Sequence, residues 1–465
     1  MSRDDLPYLP LTTIGEKIRA RALSPVEVTE ALLARIDKRD GRLKSYTTVT
    51  ADLALAQARR AEAEIAQGRW RGPLHGVPVA VKDLCFTKGI KTTGGMTIHA
   101  DFKPDHDATV VTRLARAGAV LLGKLHMTEG ATLEHHPDLP EPVNPWGEDI
   151  WTGVSSSGSG VATAAGLTYG AIGSDTGGSI RFPSACNALT GVKPTWGRVS
   201  RHGIFDLAPT FDHLGPMTRS AADCAALLQV LAGYDPLDPT SLCEPVPDYL
   251  AALADVEGAR GIRLGLDWDY ADAEPTTRAF IDAAVKTLID LGAEPRAVNF
   301  PSIAEIAEYA MALTMAELAA VHEATYPARA AEYGTWIKDG IERGRSASGV
   351  ELGKGEIARA KFRGAVRRFF EEIDVFVMPV YREGTPTWTQ VRAQVAEDFN
   401  IIGRFTSPFN ATGTPTVTLP CGFAPDGRPI ALQLAGPQGS EATLLRVAHA
   451  YQQATDWHTR RPPGA

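Results

Sequence analysis

The chain contains 465 residues, 44% of them hydrophobic and 22% charged, a composition typical of a globular protein with a large core. Its formal net charge of −8 disfavours nucleic acid, an anionic membrane surface or a polyanion as the main partner. No run of about 18 apolar residues occurs and the first residues carry no apolar signal core, so we expect a cytoplasmic protein that does not enter a membrane.

Two helices are predicted before residue 71. Ser24 and Glu27 form a capping box around a proline at the first helical position, which indicates the start of the first helix. An alanine-rich pattern predicts a second helix from about 51 to 67, ended by Gly68.

From residue 74 onward, short runs of Val, Ile and Leu alternate with helical patterns. The runs at 77–81, 119–122 and 375–380 predict buried strands, and the pattern at 108–117 predicts a helix. This alternation indicates an α/β protein, with a mixed central β-sheet flanked by helices.

The segment 118–124 matches the phosphate-loop spacing G-x-x-x-x-G-K, but we interpret it as a helix end followed by a strand. Leu125 stands where a Ser or Thr would hold magnesium, and apolar residues lie between the two glycines. We therefore expect no nucleotide site.

The cysteines and histidines predict no metal, cofactor or disulfide framework. The five cysteines are widely spaced, and none forms a C-x-x-C pair. Cys85, a candidate reactive thiol close to Lys82, is interpreted instead as a small buried side chain. Neither His322 nor the pair His135 and His136 has further ligands at the spacing of a zinc site.

The glycine-rich segment 174–179 predicts a serine on an exposed turn. It follows a short apolar run at 169–173 that ends like a strand, and Ser179 comes directly after two glycines. Four N–H groups of this turn are suited to stabilise a developing oxyanion, because glycine lets a substrate carbonyl approach closely. They belong to Thr176, Gly177, Gly178 and Ser179. Taken alone, a plain glycine-rich turn explains the same residues.

A nucleophilic serine needs a base or a metal ion, because its hydroxyl reacts weakly at neutral pH. No serine lies in a G-x-S-x-G turn, and none has a lysine three residues later. A lysine from elsewhere in the chain remains. Lys82, at the end of the run 77–81, is the best candidate, since burial lowers the pKa of an ammonium group and yields a neutral amine. A structural ion pair with Asp83 or another carboxylate is the alternative.

These residues belong to an ordered series of motifs that resembles the amidase signature family of serine hydrolases. The matching segments are 76–83, 118–124, 144–146, 153–160, 173–183, 191–194, 212–216, 410–415 and 429–433. Because the series spans nearly the whole chain, we expect one large α/β/α domain over 1–465. Its parts are N-terminal helices at 1–70, a catalytic core at 71–232, a variable helical substrate or lid region at 233–375, and a C-terminal return to the core at 376–465.

The resemblance implies that Ser179 is the acyl-accepting nucleophile, Ser155 the bridging serine and Lys82 the base. In this family a cis peptide bond precedes the bridging serine, which passes the nucleophile's proton to the neutral amine. The implied reaction is hydrolysis of a carboxamide or related C–N acyl bond, aryl amides and carbamates included. The resemblance further implies a small-molecule substrate, no cofactor, and a monomer or homodimer.

The chain departs from the family where Val154 and Ser157 replace two glycines. Ser155 is selected over Ser156 and Ser157 because its separation from Ser179 preserves the family spacing. The family also keeps an arginine at the position of Arg181 in members with apolar substrates, so a structural ion pair is expected there rather than a substrate contact.

In a second departure, Leu125, His126 and Thr128 stand where the family more often carries Thr, Asn and Asp. This segment lies near the substrate in relatives, so the departure affects the prediction of the substrate more than that of the mechanism. Two alternatives remain. One is the amidase subunit of a tRNA-dependent amidotransferase, against which the departures at Val154, Leu125 and His126 count. The other is a catalytically silent binding protein on the same fold, against which the intact serines and lysine count.

The region after residue 233 carries several candidates for a substrate channel. Five apolar residues face either such a channel or the core, and the core is favoured: Met311, Leu313, Met315, Leu318 and Val321. The glycine-rich segment 340–355 predicts a mobile loop that acts as a lid. Three aromatic residues are candidates for lining a pocket: Trp336, Tyr381 and Trp388.

Overall fold

A computed structural model describes residues 5–254, 258–398 and 400–463. Within these ranges the strands form one 11-stranded sheet, in the order β1-β3-β2-β4-β6-β5-β10-β11-β9-β7-β8. The strands are β1 (Tyr46–Val49), β2 (Pro78–Lys82), β3 (Val120–Leu125), β4 (Gly170–Asp175), β5 (Thr190–Lys193), β6 (His213–Thr218), β7 (Arg263–Leu266), β8 (Glu294–Ala297), β9 (Val375–Pro379), β10 (Thr416–Phe423) and β11 (Pro429–Ala435).

Helices flank the sheet. They are α1 (Leu11–Arg19), α2 (Pro25–Leu43), α3 (Ala51–Ala66), α4 (Thr109–Arg116), α5 (Ser157–Ala164), α6 (Arg181–Cys186), α7 (Ala221–Leu231), α8 (Tyr249–Leu253), α9 (Pro275–Asp290), α10 (Ala304–Val321), α11 (Thr335–Ser346), α12 (Gly349–Glu372), α13 (Trp388–Glu397), α14 (Asn400–Gly403), α15 (Ser407–Thr412) and α16 (Glu441–Ala454). No helix in the described ranges combines the length and the apolar character that a membrane crossing requires.

The predicted α/β fold is confirmed. The sheet is mixed, since β2 pairs in parallel with β3 and β4, whereas the strands from β4 through β6, β5, β10, β11 and β9 pair antiparallel. The predicted strands at 77–81, 119–122 and 375–380 correspond to β2, β3 and β9, and the helix at 108–117 to α4. The segment 118–124 therefore ends in a strand, as interpreted.

The segment 233–375 is not wholly helical, because β7 and β8 add two strands to one end of the sheet. The terminal strand β8 has the sequence EPRA and is exposed along its length. Charged residues and proline are typical of sheet edges, and they leave no apolar alternation by which the strand could be predicted.

The prediction of a mobile loop at 340–355 is wrong, because these residues lie mostly in α11 and α12. Gly344 lies where α11 meets α10, and a Cβ atom there would come within 1.9 Å of the Met315 carbonyl oxygen. Glycine at this position permits close packing of two helices rather than motion.

The carboxyl ends of β2 and β4 lie side by side in the sheet, since these strands pair in parallel. β2 ends at Lys82 and β4 at Asp175. The predicted catalytic lysine and the glycine-rich turn therefore emerge at one edge of the sheet, where α/β proteins usually bind ligands.

Candidate active site

Lys82 is completely buried at the end of β2 and is bound by two serine hydroxyls. Its Nζ donates to Ser155 Oγ at 2.6 Å and to Ser174 Oγ at 2.8 Å. Among the described residues no carboxylate forms an ion pair with it, and its neighbour Asp83 pairs instead with Lys124 at 3.5 Å. The alternative of a structural ion pair between Lys82 and Asp83 is therefore wrong.

Burial lowers the pKa of Lys82 to about 7, and the charge of Asp175 offsets this effect only partly. An ammonium group is poorly stabilised without water, so its neutral form is favoured. Near neutral pH a large fraction of Lys82 is consequently an amine with a lone pair.

Ser155 alone of the three adjacent serines contacts Lys82. It follows a cis peptide bond after Val154. Ser156 Oγ is engaged with the backbone of Ser174, to whose carbonyl oxygen it donates at 3.1 Å, and Ser157 Oγ lies 3.2 Å from His135 Nε2. The structure thus separates three hydroxyls that are chemically identical in the sequence.

The turn after β4 presents Ser179, half-buried, to a cavity that Thr176, Gly177 and Val154 also line. Gly178 has φ +146, and a Cβ atom there would lie 2.4 Å from the Phe182 ring, so the turn requires glycine at this position.

Four consecutive N–H groups of this turn have no hydrogen-bond acceptor among the residues that the structure describes. They belong to Thr176, Gly177, Gly178 and Ser179, the four residues predicted from the sequence. Backbone donors left free beside a cavity are suited to bind an oxyanion, although their approach to a substrate stays a prediction.

A buried ion pair fixes both ends of the turn. Arg181 Nη2 lies 2.8 Å from Asp175 Oδ1, and both side chains are completely buried. The same carboxylate accepts from the Ile180 N–H at 3.0 Å. Burial raises the pKa of Asp175, but the Arg181 charge and hydrogen bonds outweigh this and hold it well below the usual range. Arg181 therefore has the structural role that was expected.

Residues of α15 and the residue before it donate hydrogen bonds to the backbone of the turn and of the end of β4. Thr406 Oγ1 donates to the Gly177 carbonyl oxygen at 2.6 Å, and Ser407 Oγ donates to the same oxygen at 3.3 Å. Asn410 Nδ2 donates to the Asp175 carbonyl oxygen at 3.0 Å. Asn410 lies in a recognised motif, whereas nothing in the sequence marks Thr406, more than 200 residues away from the turn.

The cavity in front of Ser179 has a volume of about 170 Å³ and a mainly apolar wall. Its lining residues are Ala131, Thr132, Leu133, Val154, Thr176, Gly177, Ser179, Phe182, Leu207, Phe211, Ile303, Ile306, Ala307, Ala310, Met311, Thr314, Met315, Trp336, Ile402, Gly403, Arg404, Ser407 and Pro408. A buried apolar cavity of roughly 150 Å³ holds benzene, so there is room here for a group of about one aromatic ring.

The predicted channel residues divide among the cavity, the core and the surface. Met311 and Met315 line the cavity, whereas Leu313 and Leu318 are buried in the core and Val321 is 37% exposed. Of the aromatic candidates, Trp336 lines the cavity, while Tyr381 and Trp388 pack around Trp151 in a separate cluster.

Of the departures from the family pattern, Val154 lines the cavity, whereas Leu125, His126 and Thr128 are not among its lining residues. These three are buried, and burial lowers the pKa of His126 to about 4, so its ring is neutral. Cys85 is also buried, and burial raises the pKa of its thiol to about 12. It is a protonated core residue, as interpreted, and not a reactive thiolate.

Comparisons with known proteins agree with one another. The sequence model of the family described as Amidase matches residues 27–445. The chain is 47% identical to the AmiD protein of Mycobacterium tuberculosis, over 100% of this chain and 98% of AmiD. It is 38% identical to one of the subunits of the glutamyl-tRNA(Gln) amidotransferase of Moorella thermoacetica, over 98% and 99% of the two chains. It is also similar to the solved structure of a bacterial aryl acylamidase, with a TM-score of 0.89 and 25% identity, covering 98% of this chain and 99% of the other.

Proposed function

The chain belongs to the amidase family, whose members hydrolyse amides, and on that premise we propose that it cleaves a small carboxamide through an acyl intermediate on Ser179. The observation that carries the proposal is the 2.6 Å hydrogen bond between Lys82 Nζ and Ser155 Oγ, made by a buried lysine without an ion-pair partner among the described residues. A lysine in this state is suited to be a base.

In the proposed first step, Ser179 Oγ attacks the substrate carbonyl carbon. Its proton passes to Ser155 Oγ while the Ser155 proton passes to Lys82 Nζ, so that the lysine becomes an ammonium group. The negative charge that develops on the substrate oxygen is stabilised by the free N–H groups of the turn.

The leaving amine departs when the same relay runs in reverse. Lys82 returns a proton through Ser155 to the substrate nitrogen, the C–N bond breaks, and the acyl group remains on Ser179. A water molecule then attacks the ester, again giving its proton to the relay, and the carboxylic acid is released. Every proton taken from the nucleophile or from water is thus returned to a leaving atom.

For the substrate we propose an amide with an apolar acyl or aryl group of about one ring, aryl amides and aryl carbamates included. The small apolar cavity supports this size and polarity. The likeness to an aryl acylamidase supports the same class. Carbamates are included because their carbonyl passes through the same tetrahedral geometry.

The amidotransferase subunit is the second candidate, since 38% identity links the chain to such a subunit. Glutamine carries an ammonium and a carboxylate group, and a site for it would need charged partners for both. Among the described lining residues of the cavity no carboxylate occurs, and Arg404 is the one charged side chain. An apolar amide therefore fits this cavity better than glutamine does.

Labelling with a fluorophosphonate probe tests the nucleophile. We expect the native protein and Ser157→Ala to be labelled and Ser179→Ala to remain unlabelled. Ser157 is the matched control because it lies in the neighbouring serine cluster but contacts His135. Labelling of Ser179→Ala at the native rate would refute the assignment, and absence of labelling in the native protein would favour a silent binding protein.

A hydrolysis screen over aliphatic amides, anilides, aryl carbamates, esters and glutamine tests the substrate. We expect anilides or aryl carbamates to give the highest kcat/KM. In Ala310→Phe, which places a ring into the cavity, their KM should rise, whereas Ala320→Phe on the exposed part of the same helix should leave it unchanged. Preference for glutamine, together with copurification of a second subunit, would support the amidotransferase instead.

A further inference from the structure

The peptide group between Gly177 and Gly178 is held from one side only. Its carbonyl oxygen accepts from Thr406 Oγ1 at 2.6 Å and from Ser407 Oγ at 3.3 Å. A trans peptide is planar, and its C=O and N–H bonds point in opposite directions. The bond is trans, since the cis bonds of the described chain lie elsewhere. Fixing the Gly177 carbonyl therefore fixes the direction of the Gly178 N–H.

The Gly178 N–H is one of the donors without an acceptor in the described part of the chain. The residues on either side of it, Gly177 and Ser179, both line the cavity. A peptide between two glycines rotates easily, because no Cβ atom restricts either flanking residue. The local bond from the Phe182 N–H to the Gly178 carbonyl oxygen, at 2.7 Å, fixes the following peptide group. The peptide group that carries the Gly178 N–H is fixed through its own carbonyl oxygen, by Thr406 and Ser407.

Thr406 is itself firmly held. The residue is completely buried, and its carbonyl oxygen accepts from Arg181 Nη1 at 2.7 Å. Its N–H donates to the Gly403 carbonyl oxygen at 3.0 Å. The hydroxyl has a second acceptor in reach, that same Gly403 oxygen, but at 3.4 Å, so the 2.6 Å bond to Gly177 is the preferred one.

We propose that Thr406 is a positioning residue, which orients the Gly178 N–H as an oxyanion donor by binding the carbonyl on the opposite side of the same peptide group. The inference rests on the function proposed above, in which an oxyanion forms next to Ser179. Thr406 does not touch the substrate oxygen, so its effect is confined to the transition state and the tetrahedral intermediate.

The test compares Thr406→Val with Thr406→Ser. Valine keeps the branched shape and removes the hydroxyl, while serine keeps the hydroxyl. For Thr406→Val with 4-nitroacetanilide, or the best anilide of the screen, we expect kcat to fall about 10- to 100-fold, less than when an oxyanion donor is deleted outright. KM should change by less than about threefold, since ground-state binding does not use this donor. Thr406→Ser should recover most of kcat.

Inhibition by phenylboronic acid distinguishes a positioning role of Thr406 from a merely structural one. Boron forms a tetrahedral adduct with a serine oxygen and places a hydroxyl where the oxyanion would lie. Its inhibition constant should rise in Thr406→Val by about the same factor as kcat falls. Thr412→Val is the matched control, because it also removes a buried threonine hydroxyl. That hydroxyl contacts the Pro408 carbonyl oxygen and Thr414 Oγ1 rather than the turn. Thr412→Val should keep the native kcat and inhibition constant.

Two outcomes separate this inference from the proposed function. If Ser179→Ala is inactive and Thr406→Val keeps the native kcat, the positioning role is overturned and the function stands. If Ser179→Ala remains active, the proposed nucleophile itself is wrong. Should Thr406→Val not fold, Ser407→Ala is the variant to measure. A fall of about two- to fivefold in kcat at constant KM would support the role of the hydrogen bonds to the Gly177 carbonyl oxygen, and the effect is small because the bond from Ser407 is the longer one. An unchanged kcat would overturn that role.

Discussion

Lys82 Nζ lies 2.6 Å from Ser155 Oγ, and the ammonium group that would form there has no carboxylate partner among the described residues. A buried lysine bound only by hydroxyls is costly to keep charged. The site is therefore arranged to favour a neutral amine over an ammonium group.

Replacing Lys82 by methionine should abolish most of the activity and leave the fold intact. A positioned base contributes about 10²- to 10⁴-fold to a rate, so we expect kcat to fall by that factor in Lys82→Met. Lys82→Arg should be equally inactive, because a guanidinium group does not release its proton at neutral pH. Steady-state kinetics and circular dichroism measure the two effects. Near-native kcat in either variant would exclude Lys82 as the base.

The activity should depend on pH through Lys82. Burial lowers its pKa to about 7, and only the neutral amine accepts a proton. Below pH 7 we expect kcat/KM to fall about tenfold for each pH unit, and above pH 7 to level off, since kcat/KM reports the free enzyme. A profile from pH 5 to pH 9 measures this. A kcat/KM that still rises tenfold per pH unit at pH 9 would mean an ordinary, solvated lysine.

Lys82 should also lower the stability of the fold, in a pH-dependent way. Its pKa is about 7 in the folded protein and about 10.4 in the unfolded chain. The unfolded state thus binds more protons between these values, and stability rises with pH in this window. Relative to the native protein, Lys82→Met should gain free energy of unfolding at pH 6, and this gain should shrink by about 4 to 5 kcal/mol by pH 10.

Urea denaturation of both proteins at each pH measures that difference. Comparing the two at equal pH cancels the titration of all other groups, so the shrinking gain is specific to Lys82. A gain that does not vary with pH would show that the lysine is not desolvated in the folded state.

Breaking the buried pair beneath the turn should destabilise the protein. In Arg181→Met the Asp175 carboxylate would stay buried without its partner, and we expect the free energy of unfolding to drop by about 3 to 5 kcal/mol. The exposed pair of Lys286 and Asp290 is the control, since Lys286→Met should change the free energy of unfolding by less than about 1 kcal/mol. Equal losses in the two variants would contradict the structural role of Arg181.

Gly344 in α11 and Gly353 in α12 should respond oppositely to replacement by alanine. In Gly344→Ala the new methyl group would collide with the Met315 carbonyl oxygen, and overpacking of this kind costs about 1 to 3 kcal/mol. Gly353 lies exposed in α12 with open space around it, so Gly353→Ala should add about 0.5 to 1 kcal/mol. Thermal denaturation of the two variants measures both signs, and stabilisation by Gly344→Ala would contradict the close helix contact.

Features that depend on local backbone requirements could be predicted from the sequence. The glycines before Ser179 mark a turn that tolerates no side chain at Gly178, and the apolar run ending at Lys82 marks a buried strand. Such requirements act within a few residues, so they leave a pattern in the chain. The order of the motifs then indicated the family and the α/β fold.

Contacts between distant segments could be known only from the packing in three dimensions. The hydrogen bond from Thr406 to the Gly177 carbonyl oxygen joins residues more than 200 positions apart. In the sequence, a threonine just before a helix does not indicate such a bond, because threonine is common at this position for other reasons. The glycines at 340–355 predicted a mobile loop because glycine favours both flexibility and close packing, and only the position of α10 shows which applies at Gly344. The sequence therefore determined which groups are available for chemistry, and the packing determined which of them are in contact. The physical reason is that the energy of a contact depends on both residues, whereas a local sequence pattern describes the surroundings of only one of them.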